Sequence, residues 1–197
     1  MGRKNIIEFV YECEENIKEY LNQVDKISFF NSMKVLNAFH NNKISSSHFE
    51  GSTGYGYDDI GRDTIERVYA DIFRCEDALV RSQFISGTHA LTVAMSSMLR
   101  PGDVMLSISG KPYDTLDKVI GIVKNDSSLI SYGIKYEQVD LIDGEFDKNE
   151  IIKALLKKRV KLITIQRSKG YSTRSSISIE KETPVSFILK PVFYVLV

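Results

Sequence analysis

The feature that most constrains this chain is a switching of periods between Ala78 and Gln166. An apolar run at Ala78–Ile85 gives way to helix-spaced Leu91, Ala94, Met95, Met98 and Leu99. The turn Arg100-Pro101-Gly102-Asp103 then leads into a second apolar run at Val104–Ile108. This is one β-α-β unit. A second follows: Leu116, Val119, Ile120 and Val123 share a helical face, and Ile134–Leu141 reads as a strand. An Asp147/Glu150 capping box opens a helix through Lys158, and Val160–Gln166 is the closing strand. Strands separated by helices cannot close as hairpins, so the expected fold class is α/β with a mostly parallel sheet.

Upstream, residues 5–40 read as two helices forming an N-terminal arm, with Ile6, Val10, Ile17 and Leu21 on one face and Phe29, Met33, Leu36 and Phe39 near another. The stretch SSSHFEGSTGYGYDDIG has no periodicity and is too long for an ordinary connector. An Asp63/Glu66 capping box then opens a helix carrying Ile65, Val68, Tyr69, Ile72 and Phe73 and ending near Cys75. At the other end, EKETPVSFILKPVFYVLV departs from the β-α alternation and carries Pro184 and Pro191. The expected organisation is residues 1–60 as helices plus the Gly/Tyr segment, 61–180 as the α/β part and 181–197 as an off-pattern apolar tail. A terminal strand at Val192–Val197 is the other reading of that tail.

Composition narrows the function. Of 197 residues 43% are hydrophobic, enough for a packed core, and 26 basic residues balance 26 acidic ones without a basic stripe. A nucleic-acid partner is not expected. Cys13 and Cys75 have no metal-type spacing and fit buried thiols in a reducing compartment, and His40, His48 and His89 are scattered, so no metal site is expected. The acidic N-terminus has no signal-peptide core and no stretch reaches membrane-spanning length; the expectation is a soluble, cytoplasmic protein without a membrane partner.

The chemistry concentrates at FISGTHALTVAM, Phe84–Met95, where an apolar run breaks at Ser-Gly-Thr-His and resumes as a helix. In a parallel α/β sheet ligands bind beyond the carboxyl ends of the strands. Gly87 allows close backbone approach, and free N–H groups at Thr88, His89 and Ala90 would hold an anion such as phosphate. Alternatively Thr88 is simply the helix cap and His89 a solvated first-turn residue. The stretch is neither a P-loop nor a GxGxxG motif. The second strand ends in SGKPYDT, which sets Tyr113 at the same sheet edge, either as a stacking ring or as a surface tyrosine.

GYGYDDIGRDTIERVYADIFRCEDALVRSQFISGTHAL, LRPGDVMLSISGKPYDTL and QRSKGYSTR resemble the methionine gamma-lyase family described as aluminium resistance proteins. Those are pyridoxal 5'-phosphate (PLP) enzymes of the aspartate-aminotransferase fold, and the resemblance covers roughly residues 5–180. It implies that residues 61–180 are part of a PLP-transferase large domain. It also implies a carbon–sulfur lyase acting on a sulfur amino acid, within a dimer or tetramer. Gly87 and Thr88 would then hold the cofactor phosphate, and Tyr113 would stack on its ring. Through the more distant cystathionine gamma-synthase-type pattern, Tyr57 would reach a neighbouring subunit's phosphate. Asp59 stands where that pattern has arginine, and Arg62 is a substitute cation. Arg167, Lys169 and Tyr171 belong to the matching segment without assigned roles.

The resemblance also implies that the imine-forming lysine and the aspartate for the pyridine nitrogen lie later than the segments matched here. No catalytic residue is therefore expected in this chain, which would be inactive alone, and Lys111 and Lys169 would be surrogates at most. Two other functions fit the residues: a phosphate- or nucleotide-binding α/β module without amino-acid chemistry, and a structural remnant that associates with other chains.

Overall fold

In place of the two expected arm helices there is one, α1, spanning Ile6–Asn41. The reason is in the sequence: no Gly or Pro occurs anywhere in it. The Asn5 side chain caps its start by accepting from the Ile7 N–H at 3.2 Å. The computed structural model describes residues 5–52, 58–157, 159–181 and, through their backbone alone, 193–196. Two compact units divide the chain, residues 1–83 and 84–197.

In the first unit, only the C-terminal part of α1 is packed. Ala38 is buried, as are Thr64 and Val68 of α2, Ile60–Phe73. Asn42 locks the junction, its Nδ2 donating to the Ala38 carbonyl at 2.9 Å and to Asp71 at 2.7 Å. Helix α2 starts earlier than the Asp63/Glu66 box predicts. Asp59 is its cap, accepting from the Arg62 N–H at 2.9 Å, and that bond is the leading reason its carboxyl is held below the usual carboxylate range. Glu66, expected as the reciprocal cap, instead accepts from the Val80 N–H at 2.9 Å and pairs with Arg81. The strand expected at Ala78–Ile85 is therefore absent. Part of its backbone bonds to a helix side chain rather than to a neighbouring strand, and Leu79 and Ile85 are exposed. Cys13 and Cys75 are exposed too, not buried.

The second unit carries the sheet. Strands β1 (Val104–Ser107), β2 (Lys135–Gln138), β5 (Val160–Ile165) and β6 (Phe193–Leu196) lie in the order β2-β1-β5-β6, and every pairing is parallel. Strand β6 matches the terminal-strand reading of the tail, running beside β5 from Leu162 opposite Phe193 to Ile165 opposite Leu196. Strands β3 (Leu141–Ile142) and β4 (Glu145–Phe146) form a separate antiparallel hairpin.

Alternation along the strands splits the core into two layers. Leu106, Ile163 and Ile165 pack with Phe146, Ile177 and Ile151 of helix α5, Lys148–Lys157. Met105 and Leu162 face the other way, onto Met95 of helix α3, Gly87–Met98, and Ile120 of helix α4, Asp117–Ile120. Helices thus cover both sheet faces, as near-continuous apolar strands require. The second expected helix is cut to a 3-10 turn at Asp114–Leu116 followed by α4, because Gly121 adopts φ 101° and ends it. Helix α5 is capped as expected, Asp147 accepting from the N–H groups of Asn149 and Glu150 at 3.1 and 3.0 Å. Among the described residues no helix is long and apolar enough to cross a membrane.

Candidate functional site

Three segments of the second unit meet at the carboxyl edge of its sheet: the start of α3, the loop after β1 and the loop after β5. At α3 the cap is Ser86, not Thr88. Its Oγ accepts from the His89 N–H at 3.1 Å, and its carbonyl accepts from Ala90 at 3.0 Å. This corrects the expected anion donors, since His89 and Ala90 are used by the helix and the backbone N–H groups of Gly87 and Thr88 are those left over. A Cβ at Gly87 would meet nothing within 4 Å, so the approach is open. The Thr88 hydroxyl donates instead to Thr115 Oγ1 at 3.0 Å, joining the helix start to the loop that carries Tyr113. His89 packs edge-on against Phe84, and its buried Nδ1 has no hydrogen-bond partner.

The loops after β1 and β5 are tied together by Gln166, a buried side chain. Its Oε1 accepts from the Tyr113 N–H at 2.6 Å, its own N–H donates to Ser109 Oγ at 2.7 Å, and its Nε2 donates to the Ser168 carbonyl at 3.2 Å. Arg174 then donates to the carbonyls of Gln166 and Ser168 at 3.0 and 2.6 Å. With its polar groups satisfied at this depth, Gln166 fixes Tyr113 relative to the sheet.

Tyr113 and Tyr171 stack with centroids 5.5 Å apart and planes 27° from parallel. The hydrogen-bonding contact with Tyr171, followed by burial, raises the Tyr113 hydroxyl above the usual tyrosine range. Gly170, at φ 56°, lies so close that a Cβ there would be 2.9 Å from Tyr113 Cδ2. The resulting cleft, about 420 Å³, is lined by Tyr113, Tyr171, Lys111, Lys169, Asp140 and Arg174 among others. Lys111 is ion-paired to the buried Asp117 at 2.7 Å, whereas Lys169 is exposed. Among the described residues no three His, Cys, Asp or Glu side chains cluster as metal ligands would.

The structure therefore brings Thr88 and Tyr113 onto connected segments, with Gly87 beside them. Tyr57 lies outside the described residues. Arg62 pairs with Asp63 at 2.9 Å, and the Arg167 Nε donates to the Ile177 carbonyl at 3.1 Å. Sequence reasoning missed Ser86, although a serine just before a helical run is a cap signal. It also missed Gln166, which reads in sequence only as the polar end of a strand.

A parallel sheet with helices on both faces and polar loops gathered at its carboxyl edge defines an α/β protein. The chain belongs to the methionine gamma-lyase family, whose profile matches residues 6–193. The uncharacterized Bacillus subtilis protein YnbB is 47% identical over 173 residues, covering 86% of this chain and 41% of YnbB. Among solved structures, a Listeria innocua protein described as a candidate cystathionine beta-lyase involved in aluminum resistance is 44% identical, with a TM-score of 0.91. A Clostridium novyi protein described as a carbon-sulfur lyase involved in aluminum resistance is 43% identical, with a TM-score of 0.88. The match to the Listeria protein covers 98% of this chain and 48% of that one; for the Clostridium protein the shares are 97% and 47%. The chain thus spans about half the length, or less, of these relatives. Corynebacterium glutamicum metB, 21% identical with a TM-score of 0.50, shares the fold alone.

Proposed function

We propose that this polypeptide contributes the phosphate-holding and ring-stacking part of a PLP-dependent carbon–sulfur lyase site that acts on a sulfur amino acid. The observation that carries the reading is the Thr88–Thr115 hydrogen bond, which holds an open helix N-terminus against the loop bearing Tyr113. The residues present fit two parts of the cofactor. Leftover N–H groups at Gly87 and Thr88, at the positive end of the α3 dipole, suit a phosphate. Tyr113, held by Gln166, offers a ring for a pyridine, one of its faces being covered by Tyr171.

When bound, PLP supplies an electron sink for the carbanion that precedes loss of a thiol. Toward that chemistry the described cleft offers positioning rather than a reacting amine. Lys111 is engaged by Asp117 and Lys169 is exposed, so neither gives the desolvated lysine that imine formation uses. The family resemblance supports a homo-oligomeric enzyme, with Tyr57 acting across a subunit boundary.

The test is a titration of the purified chain with PLP and with 4'-deoxypyridoxine 5'-phosphate, which keeps the phosphate and ring but has no aldehyde. Both should bind saturably and compete with each other, with no thiol released from sulfur amino acids. Saturable nucleotide binding without competition by either compound would instead support a nucleotide-binding module. A borohydride-stable PLP adduct on Lys111 or Lys169 would overturn the assignment of those two lysines.

A further inference from the structure

Tyr171 is 85% exposed, yet its ring does not stand free, because it stacks on Tyr113. The backbone brings it there. Lys169–Ser172 form a tight turn, in which the Ser172 N–H and hydroxyl both donate to the Lys169 carbonyl, at 3.0 and 2.7 Å. Inside that turn Gly170 takes its left-handed φ of 56°, and its lack of a Cβ lets the backbone lie against Cδ2 and Cε2 of Tyr113. Arg174 and Gln166 fix the base of the turn, both donating to the Ser168 carbonyl, at 2.6 and 3.2 Å. Half-buried Tyr113 is therefore held twice, by Gln166 at its backbone and by the turn at its ring.

We infer that Tyr171 is a positioning residue for the pyridine ring: by stacking on one face of Tyr113 it fixes that ring's plane and so presents the opposite face to the cofactor. The inference rests on the cofactor reading above, and it gives a role to a residue that the motif match leaves without one. The physical reason is rotamer choice. A tyrosine on a loop has about three staggered wells at χ1, and a ligand that needs one of them binds at about a third of its intrinsic affinity. An aromatic stack selects one well in advance and removes that loss. A pyridine taking the place of Tyr171 itself would first have to break the stack. The two arrangements therefore respond with opposite sign when Tyr171 is lost.

Equilibrium dialysis of the full chain with 4'-deoxypyridoxine 5'-phosphate tests it, with inorganic phosphate as competitor. Tyr171→Ala should weaken binding of the pyridine compound by about threefold or more. The competition constant of inorganic phosphate should stay at its wild-type value, since phosphate alone meets only the N–H groups at the start of α3. Tyr171→Phe keeps the stacking ring and should keep the wild-type affinity. Induced circular dichroism of the bound pyridine band, which reports an ordered ring, should fall in Tyr171→Ala and persist in Tyr171→Phe. Because Tyr171 is exposed, both variants should retain the wild-type far-ultraviolet spectrum. A wild type that binds neither compound would remove the cofactor reading and this inference together. Wild-type binding that Tyr171→Ala leaves unchanged, strengthens, or weakens equally for both compounds would overturn the positioning role alone.

Discussion

Gln166 accepts a hydrogen bond from the backbone N–H of Tyr113 at 2.6 Å across 53 residues of sequence, joining two loops that have no strand pairing of their own. Leucine is close in size but accepts nothing, so Gln166→Leu leaves the Tyr113 N–H without its partner, while the Ser168 carbonyl keeps its bond from Arg174. The expected loss is about 1–3 kcal/mol of unfolding free energy in denaturant titration. Faster hydrogen exchange at the Tyr113 amide should accompany it, and an unchanged exchange rate would place the constraint elsewhere.

Gly170 is constrained from two sides, by its left-handed φ of 56° and by the ring of Tyr113 against it. Gly170→Ala should destabilise by about 1–3 kcal/mol and separate the Tyr113–Tyr171 stack. Near-ultraviolet circular dichroism, which reports on tyrosine packing in a chain without tryptophan, should lose intensity; an unaltered spectrum would mean the stack tolerates the methyl group.

Burial is the main cause raising the Tyr136 hydroxyl well above its reference value of 10.0. Below that value the phenol is protonated in both folded and unfolded chains, and pH has no leverage through it. Above it the unfolded chain releases the proton first, so the folded state binds more protons and stability falls as pH rises. Denaturation midpoints measured at pH 9 and pH 11 should drop more for the wild type than for Tyr136→Phe. Equal drops would show that other groups govern the alkaline limb.

Much of the fold was legible because its strongest signals are local. The apolar runs at Val104–Ile108 and Val160–Gln166 and the cap at Asp147 each settle an element by themselves. Where the structure departs from the local pattern at the expected first strand, a side chain takes a distant partner that the pattern does not reveal. Glu66 looked like a capping residue and instead binds the backbone of Val80 and pairs with Arg81, which removes a strand. The single α1 differs for another reason: its apolar face changes along the helix, and no Gly or Pro enforces a break there. At the site, Gly87, Thr88 and Tyr113 were visible as motif residues, while Gln166 and Ser86, which position them, have meaning only once the loops are folded.

Gly87→Pro tests most directly the proposal that the N–H groups at the start of α3 hold the phosphate of PLP. Gly87 is the first helical residue, where proline is well tolerated, and Ser86 before it is extended at φ −163°, ψ 163°, as a residue preceding proline prefers. A Cβ there meets nothing within 4 Å, and the ring's Cδ takes the place of the donated hydrogen, so the substitution removes this donor from the anion's approach. Equilibrium dialysis should show PLP affinity falling about tenfold or more, the worth of one charge-assisted hydrogen bond, with helix content unchanged. Unchanged affinity in a folded Gly87→Pro chain would contradict the claim.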